Sequence, residues 1–183
     1  NPWPRDAAAS NTLFSAVIES SPRHLDPTAS YWSNDTPYTY QIYEPPYGYH
    51  FLKRPFQLVP KSAREVVKPR YVDKDGRPLP DDAPAEQIAE SVHDIKIKPG
   101  ILFAPHPALA TDGQGRYRYH QLTREQLGGK RSPWQFEHQG TRELTAADYE
   151  YAFKRHATPR IETPIYGIFS EYVIGLKEYR KLI

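Results

Sequence analysis

The order of periodicities along the chain predicts an α+β fold. Up to about residue 103 the apolar residues come in short runs or alternate with polar ones, as in Tyr47, Tyr49, Phe51 and again in Ile95-Lys96-Ile97-Lys98, which is the period of a half-buried strand. From Thr145 onward the spacing changes to threes and fours, the period of a helix. The 19 prolines, set against 10 glycines and spread over the whole length, point to many extended segments and turns and away from a helical bundle.

Each element follows in order. Residues 1–10, with Pro2, Pro4 and three alanines, read as an arm. The run Leu13-Phe14-Ser15-Ala16-Val17-Ile18 suits a buried strand. A helix is predicted from Thr36-Pro37, with the threonine hydroxyl as N-cap and proline at the first helical position. Pro45-Pro46 must end it, so it has barely two turns and depends on tertiary packing. Tyr47, Tyr49 and Phe51 form a strand with aromatics on one face. Asp75-Gly76 and Asp112-Gly113 are turn dipeptides, each able to close a hairpin. Polar residues 128–140 read as surface loop. Thr145-Ala146-Ala147-Asp148 has the form of a capping box, with the Thr145 hydroxyl accepting from the third amide and the carboxylate reaching back. Ala146, Tyr149, Ala152, Phe153 and His156 then share a helix face, with Pro159 beyond the end. Ile165, Ile168, Phe169, Tyr172, Val173 and Leu176 repeat the pattern, interrupted by Gly167 and Gly175.

Composition excludes several chemistries. With no cysteine there is no disulfide, thiolate metal site, iron–sulfur cluster or cysteine nucleophile. The formal net charge of +2 comes from interleaved cations and acids, no signature of a nucleic-acid binder. A mean hydropathy of -0.75 and the lack of any apolar run near the roughly 18 residues of a membrane span predict a soluble protein. With no methionine anywhere, Asn1 is not a translational start, and the chain is expected to be a piece of something longer. At 183 residues it has the length of one ordinary domain.

No constellation for bond chemistry emerges. The seven histidines include no pair three or four apart, so no helix presents two metal ligands on one face. Asp73-Lys74-Asp75-Gly76 has its glycine two positions too early for a calcium loop and lacks the closing glutamate. There is no phosphate-cradling glycine pattern and no Gly-x-Ser-x-Gly elbow. Asp148 and Glu150 fall on different sides of one helix and read as cap and solvated charge. The expectation is a non-enzyme with no catalytic residue, no metal and no cofactor. Arg116-Tyr117-Arg118-Tyr119-His120 interleaves cations and aromatics, and strand alternation accounts for it as well as nucleic-acid stacking does.

The fourteen tyrosines and three tryptophans are the one overrepresented functional resource. They bury large area at small entropic cost and keep a polar handle. Tyr40, Tyr149 and Tyr172 lie on predicted helix faces and are assigned to the core. Tyr31 and Trp32, beside Ser30, Ser33 and Asn34 in a loop after Pro27, are assigned to ligand or partner contact.

Two separated stretches carry a family resemblance. The first is Leu25-Asp26-Pro27 followed by Gln41-Ile42-Tyr43-Glu44 and Leu58-Val59-Pro60. The second is Glu143-Leu144-Thr145-Ala146-Ala147-Asp148-Tyr149 followed by Tyr151-Ala152-Phe153-Lys154-Arg155. In this order, joined by a strand over 92–103, they resemble the N-terminal part of extracellular solute-binding protein family 5, the oligopeptide- and dipeptide-binding receptors of ABC importers. The resemblance implies the N-terminal portion of a periplasmic-binding-protein-like fold of class II, cluster C. Residues 1–43 would be the first segment of a discontinuous ligand-binding lobe. Residues 44–183 would be an accessory α+β domain inserted into it, either to the end or with a return to the first lobe near the C-terminus. It implies capture of a peptide or similar small solute in the periplasm by lobe closure, with the export signal removed. The implied partners are that solute, ABC permease subunits in the inner membrane and the remaining C-terminal part of the same receptor, with no nucleic acid. It maps the peptide-contacting loop onto Tyr31, Trp32 and Ser33. Pro45-Pro46 stands where relatives have Gly-Leu, and insertions at 68–84 and 104–144 leave the ligand class open. The alternative is a stand-alone α+β interaction module with an aromatic contact surface.

Overall fold

A computed structural model describes residues 21–183, and the strand expected over 12–19 lies outside the described residues. The described part mixes helix and sheet, an α+β composition. In chain order its elements are α1 (Thr36–Ile42), β1 (Tyr47–Tyr49), β2 (Leu58–Pro60), β3 (Arg70–Val72), β4 (Pro78–Leu79), β5 (Glu90–Val92), α2 (Arg124–Leu127), α3 (Ala146–His156), α4 (Tyr166–Tyr172) and α5 (Leu176–Leu182), with short 3-10 turns between them. The chain divides into two units. The first is discontinuous and takes residues up to Tyr43 and again from Arg155 to Ile183; the second is Glu44–Lys154.

In the second unit β1 and β2 form an antiparallel hairpin with Tyr47 opposite Pro60 and Tyr49 opposite Leu58. Phe51 lies beyond the strand, so the expected three-aromatic face ends at Tyr49. A three-stranded antiparallel sheet runs in the order β4-β3-β5, and Asp75-Gly76 closes the β3–β4 hairpin. The expected strand over 92–103 is not continuous. β5 ends at Val92, and Ile97 and Leu102 make single bridges to Ala63 and Glu143. Pro99 and Gly100, which separate these bridges, interrupt the ladder. Asp112-Gly113 does turn the chain back, with one bridge between Thr111 and Tyr117. The alternation expected over Arg116–His120 is replaced by a turn that stacks Tyr117 on His120, rings 4.0 Å apart and 11° from parallel.

Caps explain the helix positions and correct two expectations. The N-cap of α1 is Asp35, one residue before the expected Thr36, whose hydroxyl donates instead to the Ser33 carbonyl at 3.3 Å. Ahead of α3 half of the capping box forms: the Asp148 carboxylate accepts the Thr145 amide at 2.8 Å. The Thr145 hydroxyl, expected to accept a backbone amide, donates to the same carboxylate at 3.2 Å. Arg142 makes a two-pronged pair with Asp148 and, with that amide, holds its carboxyl down at about 2 against the opposing effect of burial. The C-terminal pattern breaks into α4 and α5 where Gly175 takes φ +83, a left-handed conformation that glycine alone adopts at little cost.

The core is small. Among the described residues the buried apolar side chains are Ala63, Ala110, Ala157 and Leu176, with Thr28, Asp35, Thr39 and Ser62 as buried polar ones. Tyr40 and Tyr172, assigned to the core by helix periodicity, are 80% and 79% exposed. A helix pattern specifies that a face is apolar but not that a neighbour covers it. Tyr149 is half-buried: its hydroxyl donates to the Glu44 carbonyl at 2.9 Å and lies 2.5 Å from the buried Ser62 Oγ, and burial raises its pKa.

Gly140 exchanges both backbone hydrogen bonds with His106, and a Cβ there would lie 2.1 Å from the Leu109 carbonyl oxygen. We expect Gly140→Ala to cost about 1–3 kcal/mol in urea unfolding because the obstacle is backbone and cannot rotate away. Gly113→Ala, with open space and no positive φ, stays within about 0.5 kcal/mol of the parent.

Candidate functional site

The loop after Leu25-Asp26-Pro27 is built around two carboxylates. Asp26 starts it: its side chain accepts the Thr28 amide at 3.0 Å, and its carbonyl accepts the amides of Ala29 at 3.1 Å and Ser30 at 2.9 Å. An aspartate in this position nucleates a turn because its side chain mimics the next carbonyl of a helical turn. Asp35 ends the loop. Fully buried, it accepts the Arg23 amide at 2.7 Å through Oδ1, while Oδ2 has no hydrogen-bond partner among the described residues. The Trp32 carbonyl accepts from Asp35 and Thr36, leading directly into α1.

Between these acids stand Tyr31, Trp32 and Ser33. Tyr31 is 64% and Trp32 53% exposed, and Ser33 is also exposed. The Arg23 guanidinium lies 4.3 Å from the centre of the Trp32 ring, a cation–π contact that restrains one face of the indole. The loop thus offers two aromatic surfaces and a hydroxyl on a backbone fixed from below. This arrangement suits noncovalent contact with a ligand. Two shallow depressions, one lined by Ser170–Glu178 residues including Val173 and Ile174, the other by Asp73, Leu79 and Glu86 among others, do not include Tyr31, Trp32 or Ser33.

The turn at Asp26 is itself held from a distance. Arg155, at the end of α3, reaches the Asp26 carboxylate through both guanidinium nitrogens, Nη1 to Oδ1 at 2.9 Å and Nη2 to Oδ2. The pair is only partly exposed, and bidentate geometry between charged groups makes it among the stronger side-chain contacts available. The Arg155 guanidinium holds the Asp26 carboxyl below its ordinary range, against partial burial, and the Thr28 amide adds to the effect. Residues 26 and 155 are 129 positions apart, and neither was singled out from the sequence as a partner. The available signal was that each belongs to one of the two stretches carrying the family resemblance.

His156 follows Arg155 and turns inward. Its ring meets Phe169 of α4 edge to face at 5.1 Å, and Nδ1 is buried without a hydrogen-bond partner. Burial, and then the Arg155 charge, push its pKa below 6.5, with Asp26 opposing. Arg180 of α5 closes this corner: it lies over Tyr166 and donates to the Ala157 carbonyl at 3.2 Å.

Among the described residues no group of three or more His, Asp and Glu side chains is placed to hold a metal ion, and no helix is long and apolar enough to cross a membrane. No protein-family model, no curated protein and no solved structure matches the chain.

Two outcomes follow from this geometry. Because the native Asp26 carboxyl titrates below its ordinary 3.8, its stabilising contribution is present above that value and is lost as pH falls through the lower, folded-state one. Asp26→Asn and Arg155→Met should each cost about 1 kcal/mol at neutral pH, a figure discounted for partial exposure, with a double-mutant cycle showing coupling and the Asp26→Asn difference shrinking in acid. His156 is a base with a lowered pKa, so folding is favoured above about 6.5 and weakens as pH falls from there toward its folded-state value. Chemical unfolding between about pH 5 and pH 7.5 should show that slope, and His156→Phe should flatten it.

Proposed function

We propose that the chain supplies the first lobe segment and the inserted accessory domain of a solute-binding receptor of an ABC importer, taking up peptides or a similar small solute in the periplasm without bond chemistry. The observation that carries this reading is the Asp26–Arg155 pair. It joins the Leu-Asp-Pro stretch to the end of the Tyr-Ala-Phe-Lys-Arg stretch, the two pieces on which the resemblance to solute-binding family 5 rests. Further support comes from the chain order: a discontinuous unit whose segments flank Glu44–Lys154 is the organisation that an accessory domain inserted into a ligand-binding lobe requires. In this reading Tyr31, Trp32 and Ser33 contact the solute. The exposed apolar residues of the first unit, among them Tyr40, Ile168, Tyr172 and Ile174, are surface for the remainder of the receptor to cover.

Capture then proceeds by closure of two lobes over the solute. The rigid Asp26 turn holds the aromatic loop in place before the solute arrives, which reduces the ordering entropy lost on binding.

In the complete receptor, Trp32→Ala should weaken solute binding about tenfold or more in calorimetry while thermal unfolding stays unchanged. An unaltered dissociation constant removes Trp32 from the contact surface. The 183-residue chain by itself is expected to bind peptides poorly, and micromolar peptide affinity in it would count against the two-lobe reading.

A further inference from the structure

The β1–β2 hairpin presents its largest apolar side chains to solvent. Phe51 is 87%, Leu52 77%, Phe56 69% and Tyr49 68% exposed. The exposure does not come from a loose loop. The His50 amide donates to the Gln57 carbonyl at 2.8 Å, and the His50 ring Nδ1 accepts the amides of Leu52 and Lys53, each at 3.2 Å. Tyr49 and Phe56 pack ring to ring at 5.6 Å, and Arg54 lies 4.6 Å over Phe56 while donating to the Phe51 and Lys53 carbonyls. The tip is therefore a preformed apolar knob whose own cations sit beside it.

Its charge is one-sided. The hairpin over 47–60 carries two cations, Lys53 and Arg54, and no carboxylate; Lys61 and Arg64 follow it, and the nearest acids in sequence are Glu44 and Glu65. Exposed Phe51, Leu52 and Phe56 stand on either side of Lys53 and Arg54, which occupy the middle of the loop, with Tyr49 at its base. At a membrane interface acyl chains accept such apolar side chains, aromatic rings settle at headgroup depth and phosphates attract the cations. An acidic protein groove would satisfy the charges, but it gives no reason for the large apolar side chains around them to stand in solvent.

We propose that the hairpin over 47–60 is a peripheral docking site for an anionic phospholipid surface, inserting Phe51 and Leu52 between headgroups while Lys53 and Arg54 bind lipid phosphates. The inference does not rest on the solute-binding reading, and its test contains no solute.

The test is co-sedimentation of the 183-residue chain with phosphatidylglycerol-containing vesicles and with pure phosphatidylcholine vesicles. Binding should be at least about tenfold tighter to the anionic vesicles and should fall steeply from about 50 to about 300 mM salt. The pairs Phe51→Ser with Leu52→Ser, and Lys53→Glu with Arg54→Glu, should each weaken it about tenfold or more. Lys130→Glu with Arg131→Glu, outside the hairpin, should weaken it far less. A Phe51→Trp reporter should shift its emission to the blue on anionic vesicles only. Because all four substituted side chains are exposed, unchanged circular dichroism and thermal unfolding separate lost docking from lost folding. No binding to anionic vesicles, equal binding by the hairpin variants, or an unshifted reporter overturns the proposal. Retention on immobilised polyglutamate without vesicle binding also overturns it and reassigns the hairpin to an acidic protein partner.

Discussion

The Asp26–Arg155 ion pair links the two chain segments of the first unit. That unit is made from two pieces of chain far apart in sequence, and its apolar core among the described residues amounts to Ala157 and Leu176. The bidentate guanidinium–carboxylate contact between the two pieces fixes orientation as well as distance through two parallel hydrogen bonds. The same carboxylate and its backbone carbonyl organise the turn that leads to Tyr31 and Trp32, so one residue determines both how the segments meet and how the aromatic loop is held.

Polar contacts carry much of the second unit as well. Tyr149 ties the start of that unit at Glu44 to α3 through its hydroxyl, with the buried Ser62 beside it. Arg142 and Asp148 brace the start of the same helix. From α3, Tyr149 contacts Glu44 within the second unit and Arg155 contacts Asp26 within the first, and Tyr151 is exposed.

The two candidate surfaces differ in kind. The Tyr31–Ser33 loop lies over a buried acid with an unpartnered oxygen, and one face of its tryptophan is held by a cation. The hairpin has a preformed aromatic pair, Tyr49 and Phe56, with Lys53 and Arg54 in the loop between them. In the proposed function the first contacts a small solute by stacking and hydrogen bonding. The second suits a broad, negatively charged, fluid surface.

Local features were legible from residues alone because short-range physics determines them. The helix over 146–156, the Asp75-Gly76 hairpin and the polar loop bearing Tyr31, Trp32 and Ser33 each follow from neighbours within a few positions, whereas the helical pattern over 165–176 splits in two before Gly175. Tertiary structure decided the rest. Asp26 meets Arg155 across 129 residues, a pairing no periodicity encodes. Asp35 occupies the N-cap position expected for Thr36, and its buried carboxylate accepts the amide of Arg23, twelve residues earlier, rather than one of the helix. Tyr40 and Tyr172 have the spacing of core residues yet face solvent. Spacing determines which side chains share a face; what covers that face depends on segments brought together from elsewhere in the chain.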